Sequence, residues 1–199
     1  MVETASVGWT RRSAWADVAK AGRFGAQGTT GVVVELLYGL GIATLIVADG
    51  GGPALAAALR DRIGIEPPLT PLIRRSGGRA LAWAGPDRWM LVADRRDDLD
   101  PVCEGLHALA AVSNQSDGWA SLQIGGPDVR RALAKGVMLD LHPSAFPDGA
   151  VALTAVSHIN VVIWREGDAF TLLAPRSMAG SIWSWLSAST AEFGCEVRG

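Results

Sequence analysis

The apolar positions of this chain fall into short dense runs broken by glycine and proline, with no single period sustained along it. Val32-Val33-Val34 and Ile42-Ala43-Thr44-Leu45-Ile46-Val47 are β-branched runs separated by Gly39 and Gly41, which predicts strands. After the break at Gly50-Gly51-Gly52-Pro53 the pattern changes. Pro53 suits a first helical position, and Leu55, Leu59 and Ile63 recur at spacing four, so a helix is predicted that Glu66-Pro67-Pro68 ends. Ala80-Leu81-Ala82-Trp83 and Trp89-Met90-Leu91-Val92 flank Gly85-Pro86-Asp87-Arg88, which reads as a hairpin. Asp97 or Asp98 can cap a further helix through Val102, Leu106 and Leu109.

The second half repeats this order. Gly125-Gly126-Pro127 lies 74 residues after Gly51-Gly52-Pro53 and precedes Val129, Ala132 and Leu133. At that offset Ala58-Leu59 falls on Ala132-Leu133, Ile65 on Leu139 and Glu66 on Asp140. Asn160 to Trp164 and Phe170 to Leu173 read as strands joined at Glu166-Gly167-Asp168, and a last helix runs from about Ser177 to Phe193. Each half is thus strand, helix, two hairpin strands, helix. The expected fold is α+β, made of two related halves whose sheets carry helices on one face. Residues 1–30 precede it as an arm with one helical turn near Ser13 to Ala21, where Ser13 can cap; it either lies along a partner or frays.

The last helix carries its own signal. Met178, Ile182, Trp185, Leu186 and Phe193 share an arc of about 100° and form the expected core stripe. The opposite face is Ser181, Ser184, Ser187 and Ala188, and no charged residue stands between Arg176 and Glu192. An exposed helix of this length ordinarily shows Lys or Glu outside, so this face is read as a protein contact, against a weakly polar solvated face.

Composition narrows the function by exclusion. The 199 residues are enough for one domain with its own core, and the formal net charge is −2. Arginine far outnumbers lysine, but only as scattered doublets (Arg11-Arg12, Arg74-Arg75, Arg95-Arg96, Arg130-Arg131), so no nucleic-acid footprint appears. Cys103 and Cys195 stand apart with no CxxC, against a zinc site and for a cytoplasmic chain with free thiols. The apolar stretch Leu36 to Ala48 is too short for a bilayer, and the first residues do not read as a signal peptide.

Candidate chemistry is sparse. The Gly-Gly-Pro turns lack the Gly-Lys-Ser/Thr of a phosphate loop, and a fold-making turn accounts for both. His107 reads as a surface helix residue and His158 lies on or beside a strand. His142, in Asp140-Leu141-His142-Pro143, can form an acid–base pair with Asp140 or simply belong to a tight turn. The eight tryptophans, among them Trp83, Trp89, Trp119, Trp164, Trp183 and Trp185, are core or half-core residues, or else interface anchors.

Motifs of the second half taken together carry a resemblance. Ser113-Asn114-Gln115-Ser116-Asp117-Gly118-Trp119, Gly125-Gly126-Pro127, Leu133-Ala134-Lys135-Gly136, Asp140-Leu141-His142-Pro143 with Phe146, Leu153-Thr154, Pro175-Arg176-Ser177 and Trp185-Leu186 resemble the gamma subunits of heterotetrameric sarcosine oxidase. Trp83-Ala84-Gly85-Pro86-Asp87-Arg88-Trp89-Met90-Leu91 extends the likeness into the first half, and Arg12-Ser13-Ala14 fits loosely. The residues carrying it as structural or interface positions are Gly126, Pro127, Asp140, His142, Phe146, Thr154, Arg176, Ser177 and Trp185.

The resemblance implies a fold similar to the folate-binding domain of the glycine-cleavage T-protein, an aminomethyltransferase. It would span residues 31–199 as one domain, in halves of about 31–111 and 112–199. It also implies an accessory subunit without catalytic, cofactor or metal residues of its own. The partner alpha, beta and delta subunits would carry FAD, FMN, NAD, tetrahydrofolate and zinc, with alpha the main contact. The complex would oxidise sarcosine to glycine, with one-carbon transfer to tetrahydrofolate and hydrogen peroxide as product. Active T-proteins have an acidic pair on the strand that here reads Ser157-His158-Ile159-Asn160-Val161, and an Asn-Ala where Ala174-Pro175 stands. Folate chemistry needs such a carboxylate, so the resemblance implies a retained scaffold with that chemistry lost. The alternatives are a stand-alone folate-binding protein or aminomethyltransferase of the same fold, and an interaction module serving another amine oxidase.

Overall fold

The structure is a computed structural model and describes residues 11–199; the first ten residues of the expected arm lie outside the described residues. Twelve strands and four α-helices follow in order: β1 (Gly22–Phe24), β2 (Val32–Leu37), β3 (Gly41–Ile46), α1 (Gly52–Ile63), β4 (Ile73–Ser76), β5 (Arg79–Gly85), β6 (Arg88–Ala93), α2 (Asp100–Glu104), β7 (Ala111–Asn114), β8 (Trp119–Gly125), α3 (Val129–Leu133), β9 (Val151–Val156), β10 (Ile159–Glu166), β11 (Ala169–Pro175), α4 (Ala179–Thr190) and β12 (Cys195–Arg198).

The strands form two sheets. One runs β4-β5-β6-β3-β7, the other β9-β10-β11-β8-β2-β12-β1. The first order reappears in the second as β9-β10-β11-β8 and then β12, with β2 inserted before β12. Chain order agrees, since β3-α1-β4-β5-β6-α2-β7 is matched by β8-α3-β9-β10-β11-α4-β12. The halves are therefore related by topology. The Gly-Gly-Pro offset does not mark the same place in both. Gly51 is the N-cap of α1, with Pro53 in the first turn, whereas Gly125 ends β8 and Pro127 stands before the N-cap Asp128.

Three apolar layers hold the sheets. Leu55, Leu59 and Ile63 of α1 pack with Leu45, Trp89 and Leu91 on the outer face of the five-stranded sheet. Ile182 and Leu186 of α4 pack with Leu122, Ile163 and Phe170 on the outer face of the seven-stranded sheet. Between the sheets lie Ile42, Met90, Val92, Val162, Trp164 and Leu173. Strands buried on both faces explain runs such as Trp89-Met90-Leu91-Val92, in which alternate side chains point to helices and to the opposite sheet. The sheets are also tied by Arg75, whose Nε donates to Glu166 Oε1 at 2.8 Å and whose Nη1 donates to Asp94 at 2.7 Å, while Trp164 Nε1 donates to Glu166 Oε2.

Several expected elements differ in extent. The helix expected through Leu109 ends at Glu104 and continues as turns, without a side-chain cap from Asp97 or Asp98. Gly105 breaks it, and the Arg62 guanidinium lies where a Cβ at Gly105 would stand. The last α-helix is Ala179–Thr190, flanked by single 3₁₀ turns. Met178 is exposed rather than part of the core stripe, and Ala179, Ser189 and Thr190 are buried instead. From residue 11 onward the expected arm is packed on its own sheet. Ser13 Oγ accepts the Trp15 N–H, and Trp15 is fully buried with its indole donating to the Ser121 carbonyl at 2.8 Å. β1 then pairs with β12.

Candidate functional site

The residues singled out by motif do not converge on one point. Gly126 lies between β8 and α3 at φ +104°, and a Cβ there would stand 2.5 Å from the Gly31 carbonyl oxygen. Pro127 is exposed beside it. Asp140 and His142 form a turn and no acid–base pair, because Asp140 Oδ1 accepts the backbone N–H of His142 at 2.8 Å. The imidazole Nδ1 instead meets Ser144 Oγ at 2.7 Å. Phe146 closes that turn, buried and stacked on Phe170 at 6.3 Å. Thr154 faces the Met138 carbonyl, and Trp185 lies across Gly136, whose Cβ would meet the indole nitrogen at 2.4 Å. Ser177, Ser181, Ser184 and Ala188 are exposed and Ser187 half-buried, so the outer face of α4 is open.

The cysteines and histidines are spread over several elements. Among the described residues no three of His, Cys, Asp and Glu gather as a metal cluster. Both thiols are buried and free. Burial, helped by the charge of Asp100, pushes the Cys103 thiol up to about 11, and burial likewise raises Cys195, so neither is a thiolate at neutral pH. His107 is exposed, and His158 sits with Ser157 in the positive-φ turn between β9 and β10.

Three of the hollows in the described residues bear on these positions. An apolar groove of about 500 Å³ is lined by Trp119, Leu153, Thr154, Ala155, Asn160, Val161, Val162 and Pro175. Here Asn160 and Pro175 stand on the stretches where the resemblance places the acidic pair and the Asn-Ala of active T-proteins. Among the described residues that line it, none has an ionisable side chain. Exposed Leu153, at 57%, forms part of it. A wider hollow of about 720 Å³ opens between the sheets, over Gln123, Thr171, Trp164 and the Arg75–Asp94–Glu166 cluster. The third, about 330 Å³, gathers Arg11, Arg12, Arg96 and Arg176 around Asp117. Of these, the family motifs contain Arg12, Asp117 and Arg176, but not Arg11 or Arg96. Arg11-Arg12 and Arg95-Arg96 are visible as doublets, but nothing local in the sequence shows that they meet.

Two related half-sheets with helices on their outer faces define an α+β scaffold of the kind found in glycine-cleavage aminomethyltransferases. The likeness in fold reaches an aminomethyltransferase T of the glycine cleavage system from Bartonella henselae, with TM-score 0.66 and 15% identity, over 85% of this chain and 48% of that one. The model of the sarcosine oxidase gamma subunit family matches residues 47–192, and the chain belongs to that family. It is 28% identical to a sarcosine oxidase subunit gamma of Corynebacterium sp. (strain P-1), over 98% of this chain and 96% of the relative. It is 31% identical to the subunit gamma of an Arthrobacter species, over 76% of each. Among solved structures it is similar to a chain of a heterotetrameric sarcosine oxidase from Corynebacterium sp. U-96, determined in complex with pyrrole 2-carboxylate. There the TM-score is 0.76 and the identity 26%, over 92% of this chain and 96% of that one.

Proposed function

We propose that this chain is the accessory gamma-type subunit of a heterotetrameric sarcosine oxidase and carries out no step of the reaction itself. The observation behind this is likeness along nearly the whole chain, in sequence and fold, to subunits of that name. The apolar groove supports it from the chemical side. A folate-linked transfer needs a carboxylate beside the reacting nitrogen, and Asn160 cannot exchange a proton there. The groove's residues do not fit tetrahydrofolate as a reacting group.

The partners in this reading are the alpha subunit as principal contact, with beta and delta completing the complex. FAD, FMN, NAD, tetrahydrofolate and zinc belong to those chains. Gly126, Pro127, Asp140, His142, Phe146, Thr154 and Trp185 then serve the fold, and the small uncharged face of α4 serves assembly. A subunit that binds only the folded partner stabilises it by mass action. The test is co-expression with the neighbouring oxidase subunits, followed by purification through a tag on alpha. The gamma chain is expected to co-purify in fixed ratio, and its omission to lower the melting temperature of the complex while the flavins stay bound. Isolated, it is expected to be colourless and without sarcosine oxidation. Turnover by the isolated chain, or failure to co-purify, would overturn the reading.

A further inference from the structure

The turns after β2, before β8 and after β11 meet the first described residues of the chain and the start of the turn that leads to α2. They bring four guanidinium groups together from stretches far apart in sequence: Arg11 and Arg12, Arg96, and Arg176. The one carboxylate among the described residues there, Asp117, lies across both terminal nitrogens of Arg96, with Nη2 to Oδ2 at 2.5 Å. Those hydrogen bonds hold the Asp117 carboxyl below its usual range, and the charges of Arg11 and Arg176 act in the same direction. The cleft thus already receives one carboxylate, and in the paired planar geometry that a guanidinium favours.

The positive charge exceeds what that residue balances. Arg12 is paired with Asp17. Arg176 gives one N–H to the Arg12 carbonyl, out of the five that a guanidinium carries. Among the described residues, neither Arg11 nor Arg176 has a carboxylate partner. Tyr38, 48% exposed, stands at the same rim.

We propose that this cleft docks an acidic segment of a partner subunit, one of whose carboxylates is received by Arg176 and Arg11 beside the Arg96–Asp117 pair. The inference rests on the subunit reading above. Arg11 and Arg12 are exposed, so water competes strongly for any single free anion there. A carboxylate held on a chain brings further contacts with it, and the exposed ring of Tyr38 offers one. Arginine and tyrosine are the residue types that interfaces concentrate.

The experiment uses the co-expressed complex and measures association of the gamma chain with the other subunits against salt. Arg176→Glu is expected to weaken association roughly tenfold at low ionic strength, with the difference shrinking as salt screens it. Arg176→Lys is expected to keep most of the affinity. Arg11→Glu breaks no hydrogen bond or ion pair among the described residues, so it decides the matter if Arg176→Glu fails to fold. Unchanged association for both reversals at every salt concentration overturns the cleft proposal, provided that the wild-type chain assembles. Failure of the wild-type chain to assemble overturns the subunit reading and this proposal with it. Glutarate, a free dicarboxylate, is added to the isolated chain as the competing source. If it stabilises the wild type and not Arg176→Glu, the cleft belongs to a small anion and the docking proposal falls.

Discussion

Gly126 is required twice over. Its φ of +104° is a conformation that residues with a Cβ rarely adopt, and the added carbon would press on the Gly31 carbonyl, a backbone atom with no rotamer to escape into. Gly126→Ala is expected to cost more than about 2 kcal/mol, or about 4–8 °C in melting temperature for a domain of this size. At Gly136 the clash is with the Trp185 indole, a side chain that can shift, so the smaller loss is expected there. A melt of the two alanine variants that reverses this order would refute the assignment. Cys103 gives a pH test. Its folded value is raised to about 11, so the stability it confers is complete below the unfolded thiol value of about 8.5 and is lost as pH rises through 11. Between those limits denaturant midpoints are expected to fall, and Cys103→Ala is expected to flatten that alkaline slope. Equal slopes would refute it. At this scale the sequence was legible where one residue carries the reason, as in Gly126. It was illegible where the reason is a meeting of distant residues, as in Arg96 with Asp117 and Arg176.

At the scale of elements, α4 is the clearest case for assembly. Its inner stripe, Ala179, Ile182 and Leu186, is buried in the domain, and its outer face offers only small side chains. Ser184→Glu should leave the isolated fold intact, because Glu is the better helix former and an exposed charge changes stability by within about ±0.5 kcal/mol. The same charge buried unpaired against a partner costs several kcal/mol. Association with the oxidase subunits is therefore expected to fall by far more than the melting temperature of the isolated chain; unchanged affinity would remove α4 from the interface. Sequence pattern located α1 and α4 because each repeats buried residues over three turns. It overran α2, where Gly105 and the overlying Arg62 stop the helix while Leu106 stays buried and keeps the period apparent. β4 was not legible at all. Ile73-Arg74-Arg75-Ser76 buries one side chain of four, and only its pairing with β5 makes it a strand.

Over the whole molecule, the inter-sheet layer decides what the scaffold can still hold. Trp119 separates two hollows, forming a wall of the apolar groove and of the arginine cleft. A folate spanning both would set its pterin in the groove and its glutamate carboxylates on Arg11 and Arg176. That geometry is the strongest form of the rival, folate-binding reading. The groove argues against it, since its polar side chains are Thr154 and Asn160, and Thr154 already faces the Met138 carbonyl. Micromolar affinity corresponds to about −8.2 kcal/mol. Arg11 is exposed and Arg176 only half-buried, and surface ion pairs are worth about 0–1 kcal/mol each, so they supply little of that. The remainder would have to come from a groove that is open and carries no charge to hold a pterin. Calorimetry of tetrahydrofolate with the isolated chain is therefore expected to give no micromolar binding, and Asn160→Asp alone is not expected to create it. A micromolar dissociation constant that Arg176→Glu abolishes would establish the spanning geometry, and with it a folate-binding protein in place of an accessory subunit.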